Sequence, residues 1–200
     1  MSRFYRVIIF FLTLSIIGFI NPALAEETGK SVKAPLSSFF TESGFITGMG
    51  TGSVTKGDYE PILLIWHLAA DLKPHLRFLG NHRGTLSFIF EPQINPAFNP
   101  DTDVEFGVGF GLKYMYPLTD RISPYVMGSV GPHFITVQDN DQATGFIFAD
   151  TIGAGVYYHL TTKSAVHAGY RFRHMSNAGL KSPNSGINTH FGTIGYSVFF

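Results

Sequence analysis

His174 and Ser176 stand two residues apart in the run His-Met-Ser-Asn-Ala-Gly-Leu-Lys-Ser-Pro-Asn-Ser-Gly-Ile-Asn, which covers 174–188. A serine hydroxyl is a weak nucleophile until a neighbouring imidazole takes its proton, and that imidazole works best when a third group fixes its tautomer. In a strand, side chains two apart share a face. The pair therefore suits acyl transfer if the aromatic, alternating stretch before it is a strand. An oxyanion would need donors, and the Asn177 side-chain amide and the backbone N–H groups around Ala178 and Gly179 are the candidates.

The elements that position this pair follow from period-two parity. At the end of the chain, Ile194, Tyr196, Val198 and Phe200 alternate with Thr193, Gly195, Ser197 and Phe199. The first set suits lipid and the second a narrow lumen. Counting back by twos from the lipid face gives Gly192, His190 and Asn188. In the preceding strand Tyr170 and Phe172 share a face whose parity continues to His174 and Ser176, while His167, Arg171 and Arg173 take the other. His174, Ser176, Asn188 and His190 are thus expected on the outward face of two adjacent antiparallel strands.

Composition supports a wall of this kind. The chain has 20 Phe, 9 Tyr, 22 Gly and no Cys, with only 14% charged residues. The start of the chain reads as a secretory signal over 1–25, with Arg3 and Arg6, an apolar run Val7–Ile20 and Ala23-Leu24-Ala25 before Glu26. The run is short for a spanning helix, which needs roughly 20 apolar residues. Arg3 and Arg6 leave with the signal, so 12 of the 14 basic residues face 14 acidic ones, a net charge of about −2. That balance points away from a nucleic-acid partner. No disulfide framework is available to an exported chain without cysteine. Many aromatics and glycines, low charge and no second long apolar run together suit a transmembrane β-barrel. A secreted β-sandwich carrying an esterase is the soluble alternative.

After a polar lead-in at 26–42, eight strands are expected within 43–200: about Gly44–Val54, Pro61–Leu72, Gly84–Pro92, Val104–Tyr116, Arg121–Ile135, Thr144–Leu160, Ser164–Met175 and Asn188–Phe200. An even count closes the sheet with both termini at the periplasmic side. Pro117–Asp120 and Thr161–Lys163 then become periplasmic turns, and the loops at Asn95–Asp103, Gln138–Gln142 and after Ser176 become extracellular. The expected fold is all-β, an eight-stranded antiparallel transmembrane β-barrel of the bacterial outer membrane. Arg171 and Arg173 are expected to meet acids such as Glu105 or Asp150 in the lumen. Trp66, Tyr114, Tyr116 and Tyr125 suit an interfacial aromatic girdle. His159 and His167 carry no metal-ligand pattern. Eight strands leave no room for a pore.

The run His174, Ser176, Asn177, Ala178, Gly179, Leu180, Pro183, Asn184, Gly186 resembles the PagL-type lipid A 3-O-deacylases of the outer membrane. The resemblance implies an eight-stranded barrel and a cofactor-free, metal-free hydrolase that removes the 3-position ester-linked acyl chain of lipid A. It implies His174 as base and Ser176 as nucleophile. It also implies lipopolysaccharide as substrate among outer-membrane lipids, and a C-terminal Phe200 of the kind read by the outer-membrane assembly machinery. A homodimer stays open. The family's Gly-x-Glu reads Gly186-Ile187-Asn188 here, so the orienting carboxylate is replaced by an amide. Asn188 can still accept a hydrogen bond from imidazole, as the asparagine of papain-like proteases does, but it brings no charge. His190 is a second, weaker candidate for that role. The rival reading is a catalytically weak or inactive barrel that is structural or only binds lipid. Lys181 is either a lipid-phosphate contact or a solvated loop lysine, and Pro183 and Asn184 read as turn chemistry.

Overall fold

Alternation in the sequence becomes alternation in space. The computed structural model describes residues 39–76, 82–137 and 142–200. The signal segment and residues 26–38 of the lead-in lie outside the described residues. Among the described residues there are nine strands: β1 Glu42–Val54, β2 Gly57–Tyr59, β3 Ile62–Asp71, β4 Thr85–Ala97, β5 Asp103–Met115, β6 Ile122–Ile135, β7 Gly145–Thr161, β8 Ser164–Ser176 and β9 Ile187–Phe199. All are antiparallel to their neighbours, and β1 pairs with β9 from Glu42↔Phe199 to Gly52↔Thr189, which closes the sheet. Closure removes every long unpaired edge, as a strand wall in lipid requires.

The wall has eight staves, because β2 is a short outer extension of the β3 stave. Pro61 interrupts the two and makes an isolated bridge to Ala97, in keeping with a residue that has no N–H to give the ladder. The other strands run 10 to 17 residues, at or beyond the ~9–11 needed to cross a bilayer at a tilt. Leu112, Val130, Ile152 and Ile194 are exposed on the outer face. Thr193 and Ser197 are buried on the inner face. The expected parity of the last two strands holds.

The lumen is filled by side chains. Lys113 Nζ donates to Glu42 Oε2 at 2.5 Å and to Tyr157 Oη at 2.9 Å. Arg171 grips Glu91 through two bonds of 2.6 and 2.9 Å, and Arg173 Nη2 meets Glu105 Oε1 at 2.8 Å. The cavity beside Arg171, Arg173 and Phe191 measures about 10 Å³, the space of roughly one water.

Four local expectations are corrected. Glu42, placed in the polar lead-in, is the first residue of β1, because its carboxylate is drawn inward to Lys113 and Tyr157. The strand expected to end at Pro92 continues to Ala97, held by pairs such as Asn95↔Glu105 and by the Asn95 amide on Glu105 at 3.0 Å. Tyr125 belongs to the lumen and not to the aromatic girdle. It packs edge-on against Tyr157, in space opened by Gly155 and Gly169, where a Cβ would lie 2.7 and 2.5 Å from its ring and hydroxyl. Asp150 is exposed on the outer wall, so it cannot pair with Arg171 or Arg173 inside. Glu91 and Glu105 take that role. Trp66 does face outward, its Nε1 donating to Ser43 Oγ at 3.1 Å.

Candidate active site

The ladder sets the site as a row across three strands. His174 on β8 is directly opposite Asn188 on β9, and on its other flank opposite Asp150 on β7. Ser176, the last residue of β8, is opposite Phe148. Side chains paired across antiparallel strands share a face, with Cβ atoms about 4.5–5.5 Å apart. His174, Ser176, Asn188 and Asp150 therefore line one patch of the outer wall, at the end of the barrel opposite the paired Glu42, first residue of β1, and Phe199, last residue of β9.

Within the patch, His174 Nδ1 and Asn188 Oδ1 are 2.7 Å apart. An amide oxygen only accepts, so Nδ1 carries the proton and Nε2 keeps its lone pair. That is the tautomer a base needs to face a serine. His174 and Ser176 are half-buried, and the Ser176 hydroxyl makes no hydrogen bond among the described residues. His190 is drawn elsewhere: its Nδ1 is 2.5 Å from Tyr170 Oη. Asn188, not His190, is the residue that holds the imidazole.

A residue with no role in the sequence reading closes the ring's other side. Gly186 has φ of +79°, and a Cβ there would lie 2.6 Å from His174 Cε1 and 3.2 Å from Nε2. The glycine backbone is the surface against which the imidazole rests. Its N–H donates to Gln142 Oε1 at 3.1 Å, which ties the loop to the start of β7. Gly186→Ala should displace the ring and cut kcat by at least about tenfold, since a misplacement of about 1 Å can cost 10²-fold. The check is turnover of purified protein in micelles beside that of wild type. Wild-type turnover would show that the ring does not depend on this contact.

The loop after Ser176 is organised by Asn177, which faces inward and is buried. Its Nδ2 donates to Lys181 O at 2.7 Å, its Oδ1 accepts from Gly179 N at 3.0 Å, and its own N–H donates to Asn184 Oδ1 at 2.7 Å. The Asn177 amide and the Gly179 N–H, expected to receive an oxyanion, are therefore spent within the loop. The period that turns His174 and Ser176 outward turns Asn177 inward. Ala178, between them, is exposed at φ +52°, and its N–H has no partner among the described residues. Lys181 Nζ reaches Thr144 O at 3.4 Å. Among the described residues, no group of three His, Asp or Glu side chains is arranged to hold a metal ion.

Comparison with known proteins bears directly on this geometry. The family model "Lipid A 3-O-deacylase (PagL)" matches residues 65–197, which run from β3 through β9 and include the whole patch. The chain belongs to this family. A curated PagL relative, the lipid A deacylase PagL of Pseudomonas aeruginosa, is 33% identical over 97 residues. That match spans 46% of this chain and 50% of the relative. Among solved structures, the outer membrane enzyme PagL superposes with a TM-score of 0.56 at 20% identity, over 80% of this chain and 99% of that one. Neisserial surface protein A superposes with the same TM-score at 11% identity, over 80% and 96%. Both show the shared barrel fold. This PagL-family chain is an integral β-barrel of the outer membrane.

Proposed function

We propose that this PagL-family barrel is a lipid A 3-O-deacylase, a serine esterase working from its outer wall. The observation that carries the reading is the 2.7 Å contact of His174 Nδ1 with Asn188 Oδ1, on the same face as Ser176. Nε2 takes the Ser176 proton as Oγ attacks the ester carbonyl of a lipid lying against the wall. The Ala178 N–H is the exposed donor nearest the nucleophile in sequence and receives the oxyanion, a role worth about 3–4 kcal/mol for a side-chain donor elsewhere. Collapse breaks the bond to the sugar oxygen at position 3, which takes the proton from His174. Water, deprotonated by His174, then cleaves the acyl-serine and releases the fatty acid. Because the patch faces lipid, the substrate need not leave the outer leaflet.

Asn188 orients the base without adding charge. Asn188→Glu should therefore raise turnover, by up to about tenfold for a gain near 1.4 kcal/mol in stabilising the imidazolium. The test is mass spectrometry of lipid A from cells expressing wild type, Ser176→Ala or Asn188→Glu. Loss of one acyl chain in wild type and Asn188→Glu, but not in Ser176→Ala, is expected. An unchanged profile in all three would instead favour a barrel that only binds lipid or serves structure.

A further inference from the structure

Among the described residues, Asp150 is a charged group of the outer wall that neither the fold nor the Ser176–His174–Asn188 set uses. Asp150 lies on β7 in a stretch whose outward positions are Phe146, Phe148, Asp150 and Ile152, all exposed. A carboxylate in an apolar band is costly, and where it occurs it marks a working site. Nothing structural explains it here: no hydrogen bond or ion pair engages Asp150 among the described residues. The inner face, where Arg171 and Arg173 could have neutralised it, is occupied by Glu91 and Glu105.

Its register is informative. Asp150 is the Cα partner of His174 on β7, as Asn188 is on β9, so the imidazole sits between an amide and a carboxylate in one cross-strand row. The other groups facing the ring are Ser176 and Phe172 from its own strand, Gly186 from the loop, and His190 diagonally from β9, which is held by Tyr170. Lys181 is turned to Thr144. Asp150 is the acidic side chain of that surface.

We propose that Asp150 is a positioning residue for the deacylation, supplying to His174 the negative charge that Asn188 lacks. The two tasks of one orienting carboxylate are divided between flanking strands. Asn188 fixes the tautomer through Oδ1, and Asp150 stabilises the imidazolium formed when Ser176 gives up its proton. Both favour the transition state over the bound ester, so the effect falls on kcat and not on KM. The proposal rests on the deacylase reading above.

The experiment is a kinetic cycle on purified, refolded full-length barrel with lipid A in mixed micelles. The enzymes are wild type, Ser176→Ala, Asp150→Asn, Asp150→Glu, Asn188→Glu and Asp150→Asn with Asn188→Glu, each confirmed as folded by heat-shifted gel migration. Asp150→Asn should lower kcat about tenfold or more with KM unchanged, and Asp150→Glu should retain most activity. With Glu at position 188 the same Asp150→Asn change should cost less than about threefold, because the two carboxylates do the same work. Coupling of that size is usual for residues sharing one partner. A wild-type kcat in Asp150→Asn would overturn the proposal. So would an equal loss in both backgrounds, the mark of a structural role. A wild type no faster than Ser176→Ala would instead overturn the deacylase reading on which it rests.

Discussion

Ser176→Ala and His174→Ala should each lower kcat by on the order of 10⁴–10⁶-fold, and the double variant should be no slower than either. In the proposed mechanism the nucleophile and its base act as one unit: without the imidazole the hydroxyl keeps its proton, and without the hydroxyl the imidazole has nothing to activate. Losses that multiplied would mean the two residues serve separate steps. KM should change little, because lipid chains bind along an apolar wall that neither substitution alters. Folding should be unaffected for a related reason. Both side chains are half-buried on the outer face, and neither enters the lumenal network. Initial rates on purified protein, with fatty-acid release followed by mass spectrometry, give the comparison. A His174→Ala enzyme keeping a tenth of wild-type activity would remove His174 as the base.

Most of this site was legible in the sequence because a barrel wall imposes a strict period of two. Parity alone put His174, Ser176 and Asn188 on one outward patch, and the ladder pairs His174 with Asn188 accordingly. Tyr125 and Asp150 depart from expectation for one reason: parity, not side-chain type, decides the face of a strand. Tyr125 shares the inner face of Met127, and Asp150 the outer face of Phe148. The loop is another matter. That Gly186 forms the backing of the His174 ring, through a bond to Gln142 44 residues earlier, follows from no local pattern. Loop geometry of this kind arises from tertiary contacts, and a single sequence carries no period that marks it.

Arg171→Leu should destabilise the barrel by about 3–5 kcal/mol, the usual cost of leaving one partner of a buried ion pair behind. Arg171 is buried and holds Glu91 by two bonds, while His67 Nδ1 meets the same carboxylate at 2.7 Å. On its other side His67 Nε2 accepts from Lys113 Nζ at 3.0 Å, and Lys113 in turn reaches Glu42. This chain ties β8, β4, β3, β5 and β1 across the lumen. Removing Arg171 leaves Glu91 buried with His67 as its remaining side-chain partner. Arg171→Leu with Glu91→Leu should cost less than Arg171→Leu alone, because no unpaired charge then remains. Urea unfolding in detergent micelles measures both, and a single variant as stable as wild type would show that the pair contributes nothing. Activity gives a separate readout. Arg171 and His174 lie on opposite faces of β8, so the folded fraction of Arg171→Leu should turn over lipid at the wild-type rate. The proposed mechanism thus puts catalysis on the outer face of the strand and the ion-pair network on the inner, so that a substitution on one face should leave the other's function intact.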